Sequence, residues 1–169
     1  MKRIGLVLSI ITLGVILVAC GQKTYAGIQI SGDKYTQLNE AKVNIKKLLS
    51  DLDDFDYRNT KTADKIYRDA DEIMLKNAKG LSTSEKEKLD VALDNSQHGV
   101  KGIIKDAQRK KYNIDGSVAS QFHHNFKVIV NISAKAVTNS QVQADKVANK
   151  LNKDLKIEKQ LYNLGSKHE

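Results

Sequence analysis

Few residues in this chain have the type and spacing to do chemistry. Asp51, Asp53, Asp54 and Asp56 form its densest acidic run, and oxygen-rich clusters of this kind can hold calcium. Here Phe55 interrupts the alternation and no glycine follows, so a solvated helix end is the better reading. His123 and His124 suggest a metal, but adjacent side chains diverge on a helix or a strand, and no spacing requires His98 or His168 to join them. A lone cysteine, Cys20, excludes an intrachain disulfide and every multi-cysteine zinc or iron–sulfur site. The chain carries no Gly-x-Ser-x-Gly elbow, His-Glu-x-x-His helix, phosphate-binding loop or dinucleotide fingerprint. No catalytic residue, metal ligand or cofactor is therefore expected.

Basic side chains remain. The chain has 28 Lys and Arg against 20 Asp and Glu, a formal net charge of +8. Lys101, Lys105, Arg109, Lys110 and Lys111 gather where a helix should end, and complementing the helix dipole is sufficient reason for them. Lys146, Lys150 and Lys153 recur at four and three residues, opposite Ala144, Val147 and Leu151. Such a strip can meet anionic lipid headgroups or phosphate-rich wall polymers.

The start of the chain decides where these surfaces operate. Lys2 and Arg3 precede an apolar stretch from Ile4 to Ala19, which at 16 residues is short of the roughly 20 needed to cross a bilayer. It ends in Leu17-Val18-Ala19-Cys20-Gly21. This segment resembles the signal peptide and lipobox of bacterial lipoproteins. The resemblance implies that signal peptidase recognises Leu17, Val18 and Ala19, that Cys20 is lipidated on its sulfur and becomes the first residue, and that the domain is held on the outer face of the cell membrane. It covers the signal segment alone. Removing residues 1 to 19 takes away two basic side chains and leaves the exported part at +6. Export separates the chain from the genome, and no aromatic-interleaved basic motif occurs, so nucleic acid is not an expected partner.

Positioning these groups falls to helices. Residues 20 to 34, with Gly21, Gly27 and Gly32, suggest a lipidated N-terminus followed by a flexible tether, with room for a short strand at Ile28 and Ile30. Leu38, Ala41, Ile45, Leu48, Leu52 and Phe55 share one face of a helix over 35 to 56. Ala63, Ile66, Tyr67, Ala70, Ile73 and Met74 do the same over 61 to 79, with Lys65, Arg68, Asp69 and Glu72 on the outer side. Ser82 with Glu85 and Ser84 with Glu87 form overlapping capping boxes that open a third helix over 83 to 111, in which Gly99 and Gly102 allow a bend or close packing. Phe126, Val128, Val130 and Ile132 alternate as in a strand, while Phe122, Phe126, Ile129, Ser133 and Val137 also fit a helix face; β-branching favours a strand or hairpin near 124 to 134. A last helix is expected over 140 to 163, with Ile157 and Leu164 off its inner face.

The resulting expectation is a mostly α protein: a bundle of three to five helices in a single domain over 35 to 165, with 166 to 169 as a tail. With the lipobox, it points to a non-enzymatic, lipid-anchored protein that binds an envelope protein or an anionic envelope polymer. The alternative is an envelope enzyme or hydrolase accessory.

Overall fold

The computed structural model describes residues 21 to 166. The described residues open with a hairpin, β1 (Gln22–Tyr25) and β2 (Ile28–Ser31), paired antiparallel from Gln22 opposite Ser31 to Tyr25 opposite Ile28. Its two turn residues, Ala26 (φ 54°) and Gly27 (φ 73°), are both left-handed, as a tight two-residue hairpin turn requires. Ile28 and Ile30 point inward and are buried, while Gln29 and Ser31 face outward. Residues 22 to 31 are thus a folded part of the domain, correcting the flexible tether expected over 20 to 34. Two alternating isoleucines supply enough apolar surface to pin the strands.

Seven helices follow among the described residues: α1 (Gly32–Asp53), α2 (Thr60–Asn77), α3 (Thr83–Leu93), α4 (Val100–Lys110), α5 (Gly116–Val137), α6 (Gln141–Leu155) and α7 (Ile157–Ser166). The protein is mostly α, with more helices than the pattern suggested. The inward stripe of α1 holds: Leu38, Ala41, Ile45, Leu48 and Leu52 are buried, and Phe55 closes the core just past the helix. Asn59 caps α2 by accepting from the Lys61 amide at 3.1 Å. Ser82 and Glu85 form the expected reciprocal capping box at the start of α3.

Three elements differ from expectation. The strand or hairpin near 124 to 134 is instead the middle of α5, whose Phe122, Phe126, Ile129, Val130, Ser133, Ala134 and Val137 are all buried. This helix packs against α1, α3, α6 and α7, and that tertiary burial outweighs the local preference of Val128-Ile129-Val130 for a strand. The single helix over 83 to 111 is broken at residues 94 to 99 into α3 and α4. A Cβ on Gly102 would sit 1.7 Å from the Ser96 carbonyl oxygen, and one on Gly99 would sit 2.4 Å from Asp94 Oδ1, so both glycines are needed for this loop to fold back on α4. The last helix breaks at Lys156, whose φ of 51° ends α6 and lets Ile157, Leu161 and Leu164 of α7 reach the core from a new direction.

Candidate functional site

Three polar constellations stand out against this apolar interior. One is a cleft of about 760 Å³ where the α3–α4 loop, α4 and the start of α5 meet, lined in part by Lys105, Asp106, Arg109, Lys110, Tyr112 and Asp115. Asp106 organises it. Its carboxylate accepts from Lys110 at 2.8 Å, from Arg109 at 2.5 Å and from the Tyr112 hydroxyl at 3.1 Å. Lys110 and Arg109 hold the Asp106 carboxyl down at about 2. Asp115 accepts from the Ser117 hydroxyl and the Val118 amide as the N-cap of α5, which lowers its pKa as well. Both carboxyls are therefore charged near neutrality, and the cleft presents cations restrained by an internal anion. Lys105, Arg109 and Lys110 were explained in sequence by the dipole of their helix; the cleft beside them needs the break at 94 to 99, which periodicity did not locate.

The second constellation ties the hairpin to two helices. Asp154 of α6 accepts from the Tyr25 hydroxyl at 2.9 Å and from Lys42 of α1 at 3.1 Å, and it pairs with Lys150 one turn earlier. The Lys150 ammonium also lies 5.7 Å from the centre of the Tyr25 ring. These partners, Lys150 first, draw the Asp154 carboxyl down to about 2, while burial and Asp154 raise the Tyr25 hydroxyl. Of the strip Lys146, Lys150 and Lys153, Lys150 is thus engaged within the fold; Lys146 and Lys153 are exposed.

The third is an acid buried against expectation. Asp69, placed by periodicity on the outer side of α2, has a side chain only 1% exposed. It pairs with Lys47 of α1, and its Oδ2 has no hydrogen-bond partner. Burial raises its carboxyl to about 6, with Asp51 pushing the same way and Lys47 opposing. About two turns further along α2, Asn77 donates to Ser133 Oγ at 3.1 Å, and Ser133 donates to the Ile129 carbonyl, a buried bridge between α2 and α5.

The remaining sequence candidates separate. His123 lies 3.0 Å from Glu158 of α7, and His124 is exposed on the next face of α5. The His98 carbonyl accepts from Asn125. Among the described residues no group of three or more His, Cys, Asp or Glu is placed to hold a metal ion. In the acidic run, Asp56 pairs with Arg58 at 2.9 Å just beyond the end of α1. Leu17, Val18, Ala19 and Cys20, together with His168, lie outside the described residues. No described helix is long and apolar enough to cross a membrane. No family model matches the chain, nor does any curated protein or solved structure.

Proposed function

We propose that this chain is a lipid-anchored binding protein on the outer face of a bacterial cell membrane, non-enzymatic, whose partner is an envelope protein or an anionic envelope polymer. The observation that carries the reading is the ordered series of Lys2 and Arg3, the apolar stretch, and Leu17-Val18-Ala19-Cys20. The helical domain behind it offers two basic surfaces for an anionic partner. One is formed by Lys146 and Lys153 on α6, and the other is the cleft around Lys105, Arg109 and Lys110. Asp106 and Asp115 in that cleft are held ionised by their neighbours.

The anchor is tested by growth with a labelled fatty acid. The wild-type chain should take up label and the Cys20→Ala variant should not; equal labelling of both, or none in the wild type, refutes the anchor. Binding is tested by salt. Association with anionic wall polymer should fall as ionic strength rises and the screening length shortens to about 8 Å near 0.15 M. Replacing Lys146 and Lys153 with Gln should weaken it further, and binding unaffected by both changes excludes the strip.

A further inference from the structure

The hairpin changes what a lipid on Cys20 would do. With a flexible tether, a lipidated domain would tumble above the bilayer and show no preferred face. Here the first described residue is already part of the fold: the Gly21 carbonyl accepts from the Gly32 amide, the first residue of α1, at 2.6 Å. Cys20 is its direct neighbour in sequence, so no tether residue stands between the lipidated position and this contact.

The same end of the molecule is identified by other contacts. Lys34 in the first turn of α1 donates to Asn139, just ahead of α6, at 2.9 Å. Gln37 donates to the Lys79 carbonyl past the end of α2 at 2.8 Å. Glu85 in the first turn of α3 lines a shallow depression with Lys135, Asn139 and Gln141. Thus α1, α3 and α6 begin at this pole, while α2 and α5 finish there. Lys23, Lys79 and Lys86 are exposed here and Lys34 and Lys135 half-buried; the acids include Asp33, Glu85 and Glu87, with Glu40 in one depression with Lys76, Lys79 and Lys86, and Glu85 is occupied in its capping box. Along α1 the acidic residues Asp51 and Asp53 lie at the opposite end.

Resting on the lipoprotein reading above, we propose that the lipidated domain stands end-on on the bilayer, with the pole of Gly21, Lys23, Lys79 and Lys86 against anionic lipid headgroups. A negatively charged surface attracts exposed basic residues held within a screening length of it. On this standing the strip on α6 leads away from the headgroups. At 1.5 Å per residue, Lys146, Lys150 and Lys153 rise about 8, 14 and 18 Å beyond Gln141, so the strip runs up the side of the domain. Its reach is toward wall material rather than lipid. The cleft residues Asp115 and Ser117, at the far end of the 22-residue α5, stand about 30 Å from the pole and face away from the membrane.

The test uses the full lipidated protein in vesicles containing a lipid with a dye on its headgroup. Because lipid blocks the sulfur of Cys20, one introduced cysteine is the only free thiol. Ser84→Cys marks the proposed contact end, and Lys61→Cys in the first turn of α2 marks the far end; both positions are exposed. In vesicles with anionic lipid, energy transfer from a fluorophore at position 84 should exceed that from position 61 several-fold. Combining Lys23→Gln, Lys79→Gln and Lys86→Gln, or using wholly neutral vesicles, should shrink the contrast. Equal transfer from both positions in the anionic vesicles overturns end-on standing, and a contrast indifferent to lipid charge and to the lysines overturns the headgroup contact. Intact mass of the same samples separates the two levels. Lipid mass on the chain without orientation defeats this inference alone, whereas absence of lipid mass defeats the anchor beneath it.

Discussion

Asp69 makes the folded protein sensitive to pH in a direction opposite to that of most acids. Its carboxyl is nearly inaccessible, one oxygen lacks a partner, and its pKa is raised from 3.8 to about 6, by burial above all. A group whose folded pKa lies above its unfolded value contributes most below the unfolded pKa, and that contribution is lost as pH rises through the folded one. The window is therefore pH 4 to 6. Two units at 1.36 kcal/mol each set an upper bound of about 3 kcal/mol. The Lys47 ammonium opposes the shift, so about 1 to 2 kcal/mol is expected from Asp69. Asp69→Asn keeps the shape and removes the titration. Its Lys47 partner is 43% exposed and can turn to water, so losing the pair costs little. The assay is urea unfolding of both proteins at half-unit steps from pH 4 to 7.5. The variant should gain relative to wild type as pH rises through 6, and Asp51→Asn should flatten the wild-type profile by removing the like charge. A difference between Asp69→Asn and wild type that stays constant across the window would refute the reasoning.

Asp154 titrates the other way. Its folded pKa of about 2 lies below the ordinary 3.8, so its contribution is present above pH 4 and is lost as pH falls toward 2. Asp154→Asn should cost about 1 kcal/mol at pH 7, allowing for solvent screening, and should free the hairpin so that protease cuts near Tyr25 sooner; an unchanged digestion rate contradicts the latch. Gly102→Ala must displace the Ser96 carbonyl and should cost 3 kcal/mol or more, read as a fall in the urea midpoint, whereas Ala at exposed Gly21 should cost nothing comparable. Leu48→Asp or Leu93→Asp should unfold the domain while Lys46→Asp or Lys86→Asp leaves it folded by circular dichroism. Lys47 is excluded from that control because it neutralises Asp69.

The parts of the fold that were legible are those where local and global signals agree. The stripe of α1 and the Ser82–Glu85 box are each written in a few adjacent residues. The failures share one cause. Val128-Ile129-Val130 is read as a strand only while the surroundings of α5 are unknown, because neighbours on several sides bury a helix whose outer face would otherwise have to be polar. The breaks at 94 to 99 and at Lys156 leave the 3.6-residue period nearly intact on both sides, so periodicity joined what geometry separates. Gly99 and Gly102 were the available signal for the first; the second had only Ile157 and Leu164 lying off the face. Asp69 was assigned to solvent because charged residues normally are, and only the nearness of α1 and Lys47 reveals its burial. With the candidate site the position is reversed. The proposed lipidation of Cys20 rests on the sequence alone, on the order Leu17-Val18-Ala19-Cys20, whereas the cleft depends on a loop that no motif announces.

The lipid on Cys20 is the central claim, and intact-mass analysis of the protein extracted from its native membrane tests it most directly. The chain should begin at Cys20, without residues 1 to 19, and carry the added mass of a diacylglyceryl group. One acyl chain gives only reversible attachment, with a binding constant on the order of 10⁴ M⁻¹, so two chains are the minimum for a stable anchor. A chain that begins elsewhere, or that begins at Cys20 with an unmodified thiol, would contradict the account.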